Sequence, residues 1–165
     1  MARVYLSLGS NMQPQRYLSA ALTELRARFG DIAASPAYLS KAVGFDGADF
    51  INLAVGLDTE LSPEALNEWL HALEDRHGRR RDVPRFHDRT LDIDIVFYDD
   101  RVIDGPGHLQ IPRDEIRHAF VLRPMADIAP DFFHPVSGVR MADLWAAFPK
   151  ALEPLHAVSL DQPSI

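Results

Sequence analysis

The chain has 165 residues, no cysteine and a formal net charge of −7. That length suits one domain with a genuine core, and an apolar fraction of 47% fits a globular protein rather than a disordered one. The missing cysteines exclude a disulfide framework, a thiolate metal site and a cysteine nucleophile, and the acidic balance argues against nonspecific nucleic-acid binding. No apolar run is long enough to span a membrane, and Met1–Leu6 reads as the start of a strand rather than a signal peptide, so a cytoplasmic protein is expected.

Arg3 to Leu8 alternates, with Val4, Leu6 and Leu8 on one face of a first strand, and Gly9-Ser10-Asn11 reads as a turn. Leu18, Leu22, Leu25 and Phe29 then form one stripe of a helix over about 14–29, ended by Gly30. A second strand is expected around 32–40 and a glycine-bearing loop over 41–49. Phe50 to Asp58 is a clear strand: Ile51, Leu53, Val55 and Leu57 face the core, and Phe50, Asn52, Ala54 and Gly56 face the other way. Ser62-Pro63-Glu64 starts a second helix with a serine N-cap, a proline at the first position and an acid near the positive dipole end; Gly78 stops it.

An arginine loop over 79–88 leads into a strand over about 89–98, and a loop follows through Gly105-Pro106-Gly107. Short helices are expected near 120–128 and 141–148, with a flexible tail after about 150. No repeat or linker divides the chain, so residues 1–165 read as a single domain. The order β-α-β-β-α-β is a split βαβ arrangement, an α+β class with an antiparallel sheet and helices packed on one face.

The chemistry concentrates where the arginine loop meets the following strand. Arg76, Arg79, Arg80, Arg81, Arg85 and Arg89 are opposed in that window only by Asp82 and Asp88. Arginine forks match phosphate oxygens, so a discrete polyanion is the expected partner. In the strand, Leu91, Ile93 and Ile95 share one face and Asp92 and Asp94 the other, roughly 7 Å apart along the strand. On pattern alone such a pair is as readily an exposed strand face as a metal site. Beside arginines it suits magnesium, which takes one or two carboxylates plus substrate phosphates. Neither a G-x-x-x-x-G-K-[ST] nor a G-x-G-x-x-G segment is present, so side chains and metal rather than a glycine cradle would hold a nucleotide.

Together these segments resemble the 6-hydroxymethyl-7,8-dihydropterin pyrophosphokinase family. The resemblance runs from about Val4 to Trp145. It rests on Tyr5-Leu6-Ser7-Leu8-Gly9-Ser10-Asn11, Phe50-Ile51-Asn52, Leu73-Glu74 with Gly78-Arg79, Arg89-Thr90-Leu91-Asp92-Ile93-Asp94, and Ala119-Phe120-Val121-Leu122 followed by Pro124. It implies a ferredoxin-like fold and a magnesium-dependent diphosphotransferase of folate biosynthesis. Such an enzyme passes pyrophosphate from ATP to the pterin hydroxymethyl oxygen and releases AMP. Two Mg2+ ions are implied, held by Asp92 and Asp94, with Arg79, Arg89 and Asp94 as catalytic residues. Glu74, Arg79, Arg81, Arg85 and Arg89 are the implied ATP-binding set, and Ser40, Val43, Gly44, Phe50, Asn52 and Phe120 the pterin-binding set. ATP and a pterin are then the only partners, with no nucleic acid and no membrane, and the enzyme is expected to be a monomer.

The chain departs from the family pattern at Phe86-His87-Asp88, where Trp and then Gly-Pro usually stand, and at Ser40-Lys41-Ala42-Val43. It departs again between Pro112 and Ala119, where Arg113 and His118 sit in a segment one residue shorter. These altered loops motivate a second reading, a weak paralogue that binds pterin or nucleotide without turning it over. An RNA-binding module using the arginine loop is a third, disfavoured by the acidic strand face.

Overall fold

The computed structural model describes residues 1–41, 49–78, 90–105 and 109–160. The elements are β1 (Ala2–Ser10), α1 (Pro14–Phe29), β2 (Ala33–Ala34), β3 (Ala37–Ser40), β4 (Phe50–Thr59), α2 (Pro63–Arg76) and β5 (Asp92–Tyr98). They continue with β6 (Ile103–Asp104), β7 (Gln110–Ile111), α3 (Ala119–Ile128), α4 (Met141–Ala147) and β8 (His156–Val158); single 3₁₀ turns span Asp114–Arg117 and Lys150–Leu152. The antiparallel sheet runs β5-β1-β4-β3-β8, with β2 also pairing β4, so the βαββαβ order becomes the ferredoxin-like arrangement with one added edge strand.

The helices form where the sequence signals lie. Pro14 opens α1 after Gln13 in the left-handed region, and Leu18, Leu22 and Leu25 are buried. Ser62 Oγ accepts the Ala65 N–H at 3.1 Å and caps α2, which buries Leu66, Leu70 and Leu73. Phe29 and Trp69 meet edge to face at 5.1 Å where the two helices close over the sheet. Beneath them lie Val4, Leu6, Leu8, Leu53, Val55, Ile93 and Ile95.

Helices cover both faces of the sheet, not one. Tyr5, Ala54, Val96 and Phe97 pack against Val121, Leu122 and Met125 of α3 and Met141 of α4. The cause is a bulge in β5: Tyr5 pairs with Phe97 and Leu6 with Ile95, which skips Val96. Val96 and Phe97 then both belong to the second cluster, and so much apolar area needs a cover. Asp92 and Asp94 lie toward the end of this face at which β1 finishes.

The expected second strand is split at Ser35-Pro36. Pro36 has no N–H to donate, and Ser35 makes up the loss: its N–H donates to the Ala54 carbonyl at 2.9 Å and its Oγ accepts the Ala54 N–H at 2.8 Å. Ser35→Ala leaves that buried N–H unpaired and is expected to cost about 1–3 kcal/mol, read as a lower urea midpoint at unchanged slope. Beyond residue 150, His156–Val158 pair with β3 and Leu160 packs against the first core.

Candidate active site

That end of the second face is built in rows across three strands. Gly9 of β1 stands opposite Asn52 of β4 on one side and Asp92 of β5 on the other; two residues back, Ser7 stands between Ala54 and Asp94. Two-residue spacing keeps both rows on one face. Expected as part of a turn, Gly9 and Ser10 are instead the last residues of β1. A Cβ on Gly9 would lie 2.5 Å from Asn52 Nδ2, so the glycine is what lets the Asn52 amide lie against β1. The sequence signal for this approach is a lone glycine at the end of an alternating strand.

Among the described residues, two buried side-chain polar atoms have no hydrogen-bond partner: Asn52 Oδ1 and Thr90 Oγ1. Both stand at this end, the first in the row of Asp92 and the second two residues before it. Buried polar atoms without a partner are rare, and these two stand on or next to the row of Asp92.

Asp94 is pushed up to about 8 from an ordinary 3.8, first by burial and then by the charge of Asp92, with Arg113 pulling it down and Glu74 and Glu115 pushing it up. Arg113, 20% exposed, holds its Nη2 3.9 Å from Asp94 Oδ1 and 2.8 Å from Glu115 Oε2. Its backbone N–H donates to the Val96 carbonyl, which ties the segment after β7 to the aspartate strand. Arg113 is thus shared between Asp94 and Glu115.

Glu74 lies under β5 at 2% exposure and accepts the Ile93 N–H at 2.7 Å. Its carboxylate thereby holds the outer edge of the strand that presents the aspartates. Ser40 and Phe50 stand opposite each other where β3 and β4 lead into 42–48, both half-buried. Phe120 lies in the first turn of α3, packed beside the second cluster, with its ring stacked on His118 at 5.1 Å and 14°. Val43, Gly44, Arg79, Arg81, Arg85, Arg89 and the Phe86-His87-Asp88 segment lie outside the described residues.

The donor set fits magnesium. Among the described residues no group of three or more His, Asp or Glu side chains forms a ready metal cage. Two carboxylates two residues apart on one strand face match an ion that completes its shell with water and substrate phosphates.

Residues 5–130 match the model of the 7,8-dihydro-6-hydroxymethylpterin-pyrophosphokinase family. The chain belongs to that family. It is 40% identical over 152 residues to the 2-amino-4-hydroxy-6-hydroxymethyldihydropteridine pyrophosphokinase of Pseudomonas aeruginosa, covering 89% of this chain and 92% of the relative. To the protein of the same name from Synechocystis it is 36% identical over 156 residues, covering 88% and 79%. In fold it is similar to the HPPK-DHPS of Plasmodium falciparum, with a TM-score of 0.70 at 16% identity over 92% of this chain; it spans 44% of that solved chain. Family membership carries the reaction class, pyrophosphate transfer to hydroxymethyldihydropterin in folate biosynthesis. Among the described residues no helix is long and apolar enough to cross a membrane.

Proposed function

We propose that the end of the second sheet face that carries Asn52, Asp92 and Asp94 is where this chain transfers pyrophosphate from ATP to the hydroxymethyl oxygen of 6-hydroxymethyl-7,8-dihydropterin, releasing AMP. The observation that carries the proposal is the buried, partnerless Asn52 Oδ1 in one row with Asp92. A pterin edge offers N–H donors to that oxygen, and the amide nitrogen of Asn52 can donate in return. Phe120 stacks on the flat ring, and Ser40, Val43, Gly44 and Phe50 complete the pterin-binding set.

Arg79, Arg81, Arg85 and Arg89 take the triphosphate, their forks matching its oxygens. Glu74 keeps β5 in place beneath the aspartates. Asp92 and Asp94 would hold two magnesium ions, which when bound neutralise phosphate charge and orient the β-phosphorus. The arginines hold the leaving AMP side in line with the hydroxymethyl oxygen, and positioning of this kind supplies most of the catalysis in phosphoryl transfer. The hydroxymethyl proton leaves to solvent or to an Asp94 oxygen. The enzyme acts as a monomer in the cytoplasm, with no nucleic acid and no membrane among its partners.

The deciding assay follows AMP formed from ATP and hydroxymethyldihydropterin in the presence of magnesium. AMP in stoichiometric step with pterin consumed is expected; measurable pterin binding with no AMP above background would make the chain a binder. Asn52→Leu, which removes the acceptor, is expected to weaken pterin binding by roughly 10- to 100-fold, with ATP affinity unchanged. Equal weakening of both substrates would move Asn52 out of the pterin site.

A further inference from the structure

The first turn of α3 has no cap of its own. His118, at the N-cap position, makes no side-chain cap hydrogen bond, and no acid stands in the first turn. The carboxylate that serves this end comes from Glu153, 34 residues away in the chain: its Oε1 accepts the Ala119 N–H at 2.9 Å. The same carboxylate lies 3.2 and 3.3 Å from His118 Nδ1. A negative group there meets both a backbone N–H that the helix itself leaves unpaired and the positive end of the helix.

His118 in turn lies parallel to Phe120, so one face of the Phe120 ring is taken and a flat ligand stacks on the other. Glu153 is anchored from its C-terminal side, because β8 begins three residues later and pairs with β3 from Leu39 to Ala37. The next residue of β3, Ser40, faces Phe50 across the strand pair. One C-terminal segment therefore grips both the helix that carries Phe120 and the strand that leads into residues 42–48. It lies beyond the part of the chain that the family model matches.

We propose that this C-terminal segment sets the pterin-stacking wall, with Glu153 as a positioning residue that acts through Ala119 and His118 on the Phe120 ring. The inference rests on Phe120 being the stacking ring, as proposed above, and the test separates the two. Pterin affinity is measured by fluorescence titration on the full chain, alongside the KM for ATP and the melting temperature, for Phe120→Ala, His118→Ala, Glu153→Ala and Glu153→Gln.

Phe120→Ala is expected to weaken pterin binding by at least tenfold, roughly the worth of one good ring stack with its burial. Glu153→Ala is expected to weaken it about fivefold, in keeping with a lost helix cap, at an unchanged KM for ATP. Glu153→Gln keeps an oxygen for the Ala119 N–H and is expected to restore most of that loss. In a His118→Ala background Glu153→Ala should cost less than it does alone, since the two act in series. A lower melting temperature with unchanged pterin affinity in Glu153→Ala, while Phe120→Ala does weaken binding, overturns this inference and leaves the stacking role standing. Unchanged affinity in Phe120→Ala overturns both. Should Glu153→Ala fail to fold, His118→Ala decides: wild-type pterin affinity in that variant, while Phe120→Ala weakens binding, overturns the inference.

Discussion

Replacing Asp94 with asparagine is expected to cut turnover roughly a thousandfold, the counterpart of about 4 kcal/mol of lost transition-state charge stabilisation, while making the metal-free protein more stable at pH 8. The two effects share one cause. Asp94 is held beside Asp92 with burial pushing it up to about 8, so the folded chain binds a proton there more tightly than the unfolded chain, whose value is near 3.8. Stability contributed by this group is present below about pH 4 and lost as pH rises through the window to about 8. The asparagine has no charge to place, so its advantage grows over the same window. Because the Asp94 side chain keeps 35% of its surface open to water, screening limits the gain to about 1 kcal/mol. Thermal melts in EDTA at pH 5 and pH 8 read it: a gain at pH 8 that shrinks at pH 5 is expected, and equal gains would remove the charge explanation. Turnover is measured separately with magnesium present, where near-normal activity would take Asp94 out of the reaction.

Gly9→Ala is expected to lower kcat/KM for the pterin by about 100-fold, or about 2.7 kcal/mol, with the KM for ATP unchanged. The backbone of Gly9 is ordinary strand, so no conformational strain is involved. The effect comes from space: the new methyl would stand 2.5 Å from Asn52 Nδ2 and 3.7 Å from the Phe50 ring. The ring contact is tolerable and the amide contact is not, so Asn52 must swing away from β1. Alanine is otherwise the better strand residue, so the melting temperature should hold or rise. A variant with wild-type pterin kinetics would show that Asn52 does not need its place against β1.

Much of the frame is legible along the chain because it follows from local periodicity. Val4, Leu6 and Leu8 pair with the alternation of β4 and β5 to make the first core, and Ser62-Pro63 and Gly30 bound the helices where backbone chemistry requires. The carboxylate pair is legible for the same reason: two residues of one strand share a face wherever that strand sits. The second apolar layer is less legible, since the skipped Val96 in β5 breaks the alternation on which the expectation of one covered face rests.

By itself, then, the sequence determined the strand and helix order, the acidic face of β5 and the family resemblance, all written in short-range spacing. Only the tertiary structure decided which groups meet across long separations. It set Gly9 against Asn52, Arg113 beside Asp94, Glu74 under Ile93 and Glu153 at the head of α3. Each of those contacts depends on strand register or on a chain reversal, and no periodicity within a dozen residues encodes either.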